Sequence, residues 1–335
     1  MNFPRTLSTA AGIIAVGVLA LSGCASSAPE GQQDAQDGGL TTVRVSALAG
    51  VGGNAALYMG IEQGFFEDEG LSLDIQEVQN ESASIAALQG GQVDVAYAPT
   101  MTTLTAISQG IDLRLLAAAD GYAAGANQQP DLSKVDGTSL YGDPESGIDD
   151  LQDLKGKKIA IPARKSHFEI VIAQALKNEG IDPGSVEWVT MDFQSASTAL
   201  KAGQVDAASF VEPFGSEVRS AGMELLLSPT VSFFEEGAVA VWATTPKAED
   251  ELGSALAAFQ RAIYKAGAYA VAHDSETRAK ILEITQMDVA PEDLIVVHWP
   301  DTLTVRDVEP IAEKMVKLGF LDASMDAGAL IVEQP

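Results

Sequence analysis

The 335 residues contain one cysteine, Cys24, so no disulfide can close within the chain and no cysteine-based metal site can form. Histidine is nearly as scarce, with His167, His273 and His298 the only three. Neither His-Glu-x-x-His nor Gly-x-Ser-x-Gly occurs, so the zinc-protease and serine-hydrolase signatures are missing. Basic residues are few: 20 Lys+Arg stand against 47 Asp+Glu, for a formal net charge of −27. That balance leaves no basic face for phosphate and argues against nucleic acid as a partner. It argues equally against a contact with an acidic bilayer held by charge alone. What the chain does have is length and apolar content, 46% hydrophobic, enough to fill two or three real cores.

The N-terminus reads as a targeting segment. Arg5 precedes Ala10–Leu21, a run without charge that is too short to span a bilayer comfortably and has the length of a signal-peptide apolar region. It leads into Leu21-Ser22-Gly23-Cys24, which resembles the lipobox of bacterial lipoproteins. That resemblance implies a signal peptide over residues 1–23, a lipid anchor on Cys24 and a location on the extracytoplasmic face of the cell membrane. Residues 24–41 have almost nothing to bury and are expected to be a flexible tether.

The body is organised around a repeated stretch. Leu88-Gln89-Gly90-Gly91-Gln92-Val93-Asp94-Val95-Ala96 returns as Leu200-Lys201-Ala202-Gly203-Gln204-Val205-Asp206-Ala207-Ala208. In each copy an alanine-rich helical run stops at a glycine, Gly91 or Gly203, which takes a positive φ without a Cβ penalty. A short apolar run then opens with Val-Asp as a buried strand. Around the first copy the periodicity predicts a strand over Thr42–Leu48, a loop Ala49–Gly53, and a helix from Ala55 with Asn54 as its N-cap. A strand at Leu71–Ile75, a helix at Ser82–Gln89 and a strand at Val93–Ala98 follow. Around the second copy the same order runs through Lys158–Pro162, Phe168–Lys177, Val186–Val189, Ser195–Ala202 and Val205–Phe210. A β-α-β-α-β order predicts a parallel sheet with right-handed crossovers, so the chain is expected to form two α/β lobes.

Residues 117–147 read as an irregular crossing with one strand, Thr138–Tyr141. A return strand, Ala238–Thr244, leads to a helical C-terminal region with Leu252, Leu256, Phe259 and Ile263 as one apolar stripe. Further helices are expected near 276–284, 291–297 and 305–318. Ligands of open α/β sheets sit beyond the carboxyl ends of the strands, so two such lobes imply a cleft between them.

Four segments carry a resemblance. Gly64-Phe65-Phe66-Glu67-Asp68-Glu69-Gly70-Leu71, the stretch Leu88–Ala96, Asp153-Leu154-Lys155-Gly156-Lys157-Lys158-Ile159-Ala160, and Gly203–Ala208 leading to Glu212-Pro213-Phe214 occur in this order. Together they resemble the nitrate/sulfonate/taurine and thiamine-pyrimidine-precursor group of ABC-transporter substrate-binding proteins, over about residues 42–320. The resemblance implies a periplasmic-binding-protein-like type II fold, two α/β lobes joined by a hinge with a ligand cleft between them. It implies lobe one from residues 42–120 plus 245–335, lobe two from 121–244, and a monomer without a cofactor or enzymatic activity. Its partners would be a small-molecule ligand, an ABC permease and the permease's ATPase.

Candidate ligand-binding residues follow from the loops beyond the strands. Gly50, Gly52, Gly53 and Asn54 form the first, where glycines let backbone N–H groups approach a ligand. Pro99 and Thr100 follow the third strand. In the second lobe the matching loop is Arg164, Lys165, Ser166 and His167, with Lys165 where the family pattern has glycine. Its local positive charge favours an anionic ligand such as a sulfonate, taurine or nitrate. Gln194 and Glu212 occupy the remaining positions; Glu212 would instead suit an ammonium or amino-pyrimidine group. Tyr97 and Tyr122 are the better aromatic candidates, while Trp188, Trp242 and Trp299 read as core. An anchored ligand sensor is an alternative role. Gly50-Val51-Gly52-Gly53-Asn54-Ala55 also satisfies a relaxed dinucleotide-loop pattern, but an exported chain has little access to nicotinamide cofactors.

Overall fold

The computed structural model describes residues 39–335. Cys24, the expected signal peptide and most of the expected tether lie outside the described residues. Strand β1 (Thr41–Leu48) buries Val43 and Val45 completely, as their alternation with Arg44 predicts. It is followed by α1 (Ala55–Glu62), α2 (Phe65–Asp68), β2 (Leu71–Val78), α3 (Glu81–Gln89), β3 (Val95–Pro99), α4 (Thr100–Ser108) and β4 (Arg114–Tyr122). Beyond the crossing come β5 (Thr138–Gly142), β6 (Lys158–Ile161), α5 (His167–Asn178), β7 (Glu187–Thr190), α6 (Phe193–Lys201), β8 (Ala207–Val211), α7 (Phe214–Ser220) and β9 (Glu224–Leu227). The chain returns through α8 (Pro229–Phe234) to β10 (Gly237–Thr244), then α9 (Pro246–Ala272), α10 (Asp274–Thr285), α11 (Val305–Leu318) and α12 (Ala327–Leu330).

Two five-stranded sheets result, in the orders β2-β1-β3-β10-β4 and β7-β6-β8-β5-β9. They are copies of one topology, with β5 standing in the second sheet where β10 stands in the first. The expected parallel pairs are present, β1 with β2 and β3, and β6 with β7 and β8. The sheets are nevertheless mixed, because β10 runs antiparallel to β3 and β4, and β5 antiparallel to β8 and β9.

Three expectations need correcting. The return strand β10, expected in lobe two, lies in the first sheet with Trp242 opposite Tyr97 on β3. Its own residues are apolar on both faces and carry no mark of which sheet receives them. The segment 117–122, expected to be irregular, belongs to β4, whose residues from Leu115 to Tyr122 are all buried. Segment 291–297, expected to be helical, forms one short 3-10 turn at Pro291–Asp293 and then runs without regular structure.

The repeated stretch is a repeated piece of structure. Gly91 and Gly203 have φ of 66° and 64°. In the first copy Gly91 N–H donates to Leu88 O and Gln92 N–H to Ala87 O; in the second, Gly203 N–H donates to Leu200 O and Gln204 N–H to Ala199 O. Both are Schellman endings, which satisfy the last carbonyls of α3 and α6. The aspartate that follows closes the sheet beside it. Asp94 accepts from the Arg44 backbone N–H on β1 at 2.9 Å, and Asp206 accepts from the Lys158 N–H on β6 at 2.8 Å.

The apolar stripe of α9 packs as expected, with Leu256, Phe259 and Ile263 buried among β1, β2 and β10 residues. Burying one such side chain contributes roughly 2–3 kcal/mol. Leu252, at φ −124°, sits at a kink in that helix. α9 and α10 lie against α1. Helix α11 does more: it touches α4 and β10 of the first lobe and α5 of the second. One continuous core therefore contains Met101 and Leu104, Ile159 and Ile170, and Val308, Ile311 and Met315 of α11.

Asp136, fully buried, ties the two crossing segments together. Its carboxylate accepts from Tyr122 Oη at 2.5 Å, from Thr138 N–H at 3.0 Å, and from Thr230 and Val231 N–H at 2.8 and 3.2 Å. The last two are orphan donors of the first turn of α8, where a negative charge is favoured.

Candidate functional site

The carboxyl ends of both sheets face one another across a cavity of about 60 Å³. From the first lobe, Gly52, Gly53, Glu81, Tyr97, Pro99 and Asp120 line it. From the second, Gly137, His167, Phe168, Phe193 and Glu212 do. Ile295 and Val297 complete the wall from the C-terminal region. The lobes touch directly, with Gly52 N–H donating to Glu212 O at 3.4 Å.

The loop after β1 is shaped by its neighbours. A Cβ on Gly53 would fall on the Asp120 carboxylate and lie 2.9 Å from the Tyr97 hydroxyl, so no larger residue fits without moving Asp120. Trp299 fixes the same residue from behind, its Nε1–H donating to Gly53 O at 2.9 Å. Asn54, expected to cap α1, does not: its backbone is already helical and its Nδ2–H donates to Leu48 O at 2.7 Å. Neither Asn54 nor Gly50 lines the cavity; Gly50, with φ 72°, lies beneath the Phe214 ring. Thr100 is fully buried and donates to Ala238 O at 2.9 Å, joining α4 to β10.

The positive charge expected in the second-lobe loop is directed elsewhere. Arg164 makes a two-pronged pair with Glu169, Nε to Oε2 at 2.9 Å and Nη2 to Oε1 at 2.8 Å. Lys165 has a left-handed backbone, φ 58°, and its N–H also donates to Glu169. Neither lines the cavity, which among the described residues is lined by no lysine or arginine. Ser166 is buried with an unpartnered Oγ, just outside the lining, and Gln194 is exposed on α6. His167 does reach the cavity, but burial pushes its imidazole down to about 3, so it is neutral. Its ring stacks on Phe234, Nε2 lies 3.3 Å from Thr230 Oγ1, and Nδ1 is buried without a partner.

Carboxyl groups dominate instead. Glu212 is buried at the end of β8, its Oε2 accepting from Ser216 Oγ at 2.6 Å, and burial pushes it up to about 7. Asp120, buried at the end of β4, accepts from Tyr97 Oη and is pushed up by desolvation to about 6. Glu81, at the start of α3, accepts from Thr102 Oγ1 at 2.5 Å, and desolvation of its carboxyl raises it to about 7. Three acids on three elements thus converge on one small space, with aromatic rings of Tyr97, Phe168 and Phe193 among them.

Sequence reasoning missed Asp120 and Glu81. Asp120 ends a run of small apolar residues that does not alternate, and Glu81 looks like any acidic residue in a first helical turn. Phosphate-bearing cofactors fit poorly here, since the glycine loop meets a carboxylate where a pyrophosphate would lie.

This arrangement, two α/β lobes of one topology closing on a cavity at their strand ends, is a two-lobe periplasmic-binding-protein-like fold. The chain belongs to the NMT1/THI5-like family, whose model matches residues 53–123 and 134–277. YtlA of Bacillus subtilis (strain 168), named as a binding protein, is 24% identical over 246 residues, 72% of this chain and 70% of that one. The taurine-binding periplasmic protein of Escherichia coli (strain K12) is 26% identical over 53% of this chain and 51% of its own length. Among solved structures, the alkanesulfonate-binding protein SsuA of Xanthomonas axonopodis pv. citri, bound to MOPS, superposes with a TM-score of 0.70 at 15% identity, covering 87% of this chain and 98% of its own. The nitrate-binding protein NrtA of Synechocystis PCC 6803 gives 0.67 at 16% identity over 87% and 84%.

Proposed function

We propose that this protein is the extracytoplasmic receptor of an ABC importer, lipid-anchored through Cys24, which captures a small nitrogen-containing heterocycle and hands it to a membrane permease. The observation that carries the ligand class is the set Glu81, Asp120 and Glu212 around a cavity without lysine or arginine. Carboxyls desolvated in this way welcome N–H donors or a positive charge and repel sulfonate or nitrate. Flat rings on the wall suit an aromatic ring, as an aminopyrimidine has. Capture proceeds by closure, without covalent chemistry, to the extent that the solute prefers the closed form. The family relationship supports the importer role, and the sequence around Cys24 supports the anchor.

A second reading, a taurine-like zwitterion, is favoured by the buried, unpartnered Ser166 Oγ at the N-terminus of α5. A thermal-shift panel separates the two. A solute at 100 times its Kd stabilises the folded state by about 2.7 kcal/mol, an easily read rise in Tm. Aminopyrimidines should raise Tm while nitrate and alkanesulfonates leave it unchanged. A rise with simple anions and none with aminopyrimidines would sink the proposal; a rise with taurine alone would select the zwitterion.

A further inference from the structure

Closure around a solute is driven by contacts made only in the closed form. The segment 291–297 supplies a contact between the lobes that is linked to Glu212 through Ser216. Arg278 on α10 donates from Nη1 to Pro291 O at 2.7 Å and to Leu294 O at 2.8 Å, and Leu294 is buried with Ala55, Met59 and Ile281. The segment therefore moves with the first lobe. Its Asp293 carbonyl, however, accepts from α7 of the second lobe: from Ser216 Oγ at 2.8 Å and Arg219 Nη2 at 2.6 Å.

Ser216 Oγ also lies 2.6 Å from Glu212 Oε2, and Arg219 Nη2 donates to it at 3.0 Å. A hydroxyl has one hydrogen to give. Asp293 O and Glu212 Oε2 both lie within reach of it, so it bonds one of them at a time. Glu212 is also a cavity wall residue, so a donor arriving in the cavity decides where that hydrogen points.

We infer that Ser216 and Arg219 latch the two lobes by holding the Asp293 carbonyl, and that Ser216 makes the latch responsive to a donor on Glu212. With Glu212 ionised and served only by the Ser216 backbone N–H, the Ser216 hydroxyl hydrogen turns to it in a charge-assisted bond, and Asp293 O keeps Arg219 alone. When a solute donates to Glu212, the hydrogen swings to Asp293 O and the closed form gains a bond. The inference rests on the cleft being the solute site, but its test needs no solute.

Nitroxide labels on the exposed Glu67→Cys and Glu187→Cys, in a full-length Cys24→Ser background, report the lobe separation by pulsed dipolar spectroscopy. Arg219→Gln should lower the ratio of short to long distances by roughly tenfold, the equivalent of one bond to a charged donor, and Arg219→Lys should restore part of it. Glu212→Gln should raise the ratio, because a neutral amide oxygen, still accepting from the Ser216 N–H, competes less than a carboxylate for the hydroxyl hydrogen and leaves it to Asp293 O. Adding Ser216→Ala to Glu212→Gln should abolish that rise. The two single variants push in opposite directions, so one of them registers wherever the wild-type balance lies. The latch is overturned if Arg219→Gln and Glu212→Gln both leave the distances unchanged, or if Ser216→Ala does not cancel the effect of Glu212→Gln. Failure of aminopyrimidines to bind would refute the ligand class and leave this result intact.

Discussion

The Asp120 carboxylate occupies the volume that a side chain at Gly53 would need. The glycine is thus kept by an acid near the end of β4, not by a turn. Gly53→Ala should cost about 1–3 kcal/mol, as overpacked buried sites do, and should displace Asp120 from Tyr97. Urea unfolding measures the first effect and solute titration the second, with affinity falling about tenfold if Asp120 supplies one charge-assisted bond. An alanine variant of unchanged stability and affinity would show that the loop relaxes freely.

Glu212 gives a pH signature with a definite sign. Its folded value, about 7, lies above the usual glutamate value of 4.5, so the folded state holds the proton more tightly. The stability this provides is complete below pH 4.5 and is lost as pH rises through 7. His167 works oppositely: its folded value, about 3, lies below 6.5, so stability is lost as pH falls through that window. Glu212→Gln removes only the first effect. The Tm of the variant minus that of the wild type should therefore grow more positive from pH 5 to pH 8, measured without solute.

Arg164 is directed away from the cavity, and its side chain is 57% exposed against Glu169. Exposed ion pairs contribute about 0–1 kcal/mol. Arg164→Ala should leave solute affinity within about twofold of wild type, since no charge-assisted bond worth about 1.5 kcal/mol is lost. A large loss by calorimetric titration would restore the anion-binding role expected from the sequence.

Asp136→Ala should destabilise by at least about 3 kcal/mol, because three backbone N–H groups and the Tyr122 hydroxyl lose their acceptor and each such orphan costs about 1–3 kcal/mol. It lies at the crossing between lobes, so the same variant should broaden the label distances described above. Chemical denaturation together with those distances checks both effects.

The two-lobe architecture was legible in the sequence because it is written in local signals that occur twice. Gly91 and Gly203 end helices by backbone geometry, and Val93-Asp94 and Val205-Asp206 open strands beside them; each needs only its neighbours. Sheet membership was not legible for β10, whose residues are apolar on both faces and find their partners 145 residues upstream, at Tyr97 for Trp242, and 120 residues upstream, at Asp120 for Ala240. The lining of the candidate cavity was half legible. Gly52, Gly53, Pro99, His167 and Glu212 line the cavity because loop position at strand ends predicts it. Arg164 and Lys165 occupy the right loop but are held outside by Glu169, four or five residues on, and only side-chain geometry reveals that pairing. Asp120 was hidden because the run before it, Leu115–Ala119, has no period to read.

Helix α11 gives the molecule a spine. Because its Val308, Ile311 and Met315 share one oily interior with Met101 on one side and Ile159 on the other, each half relies on the other for part of its interior while keeping a cluster of its own. The halves should consequently melt together, as a single calorimetric transition, and neither should survive as an excised fragment. Opening between them should therefore break the Asp293–Arg219 contact before the packing around α11, which the label distances would register.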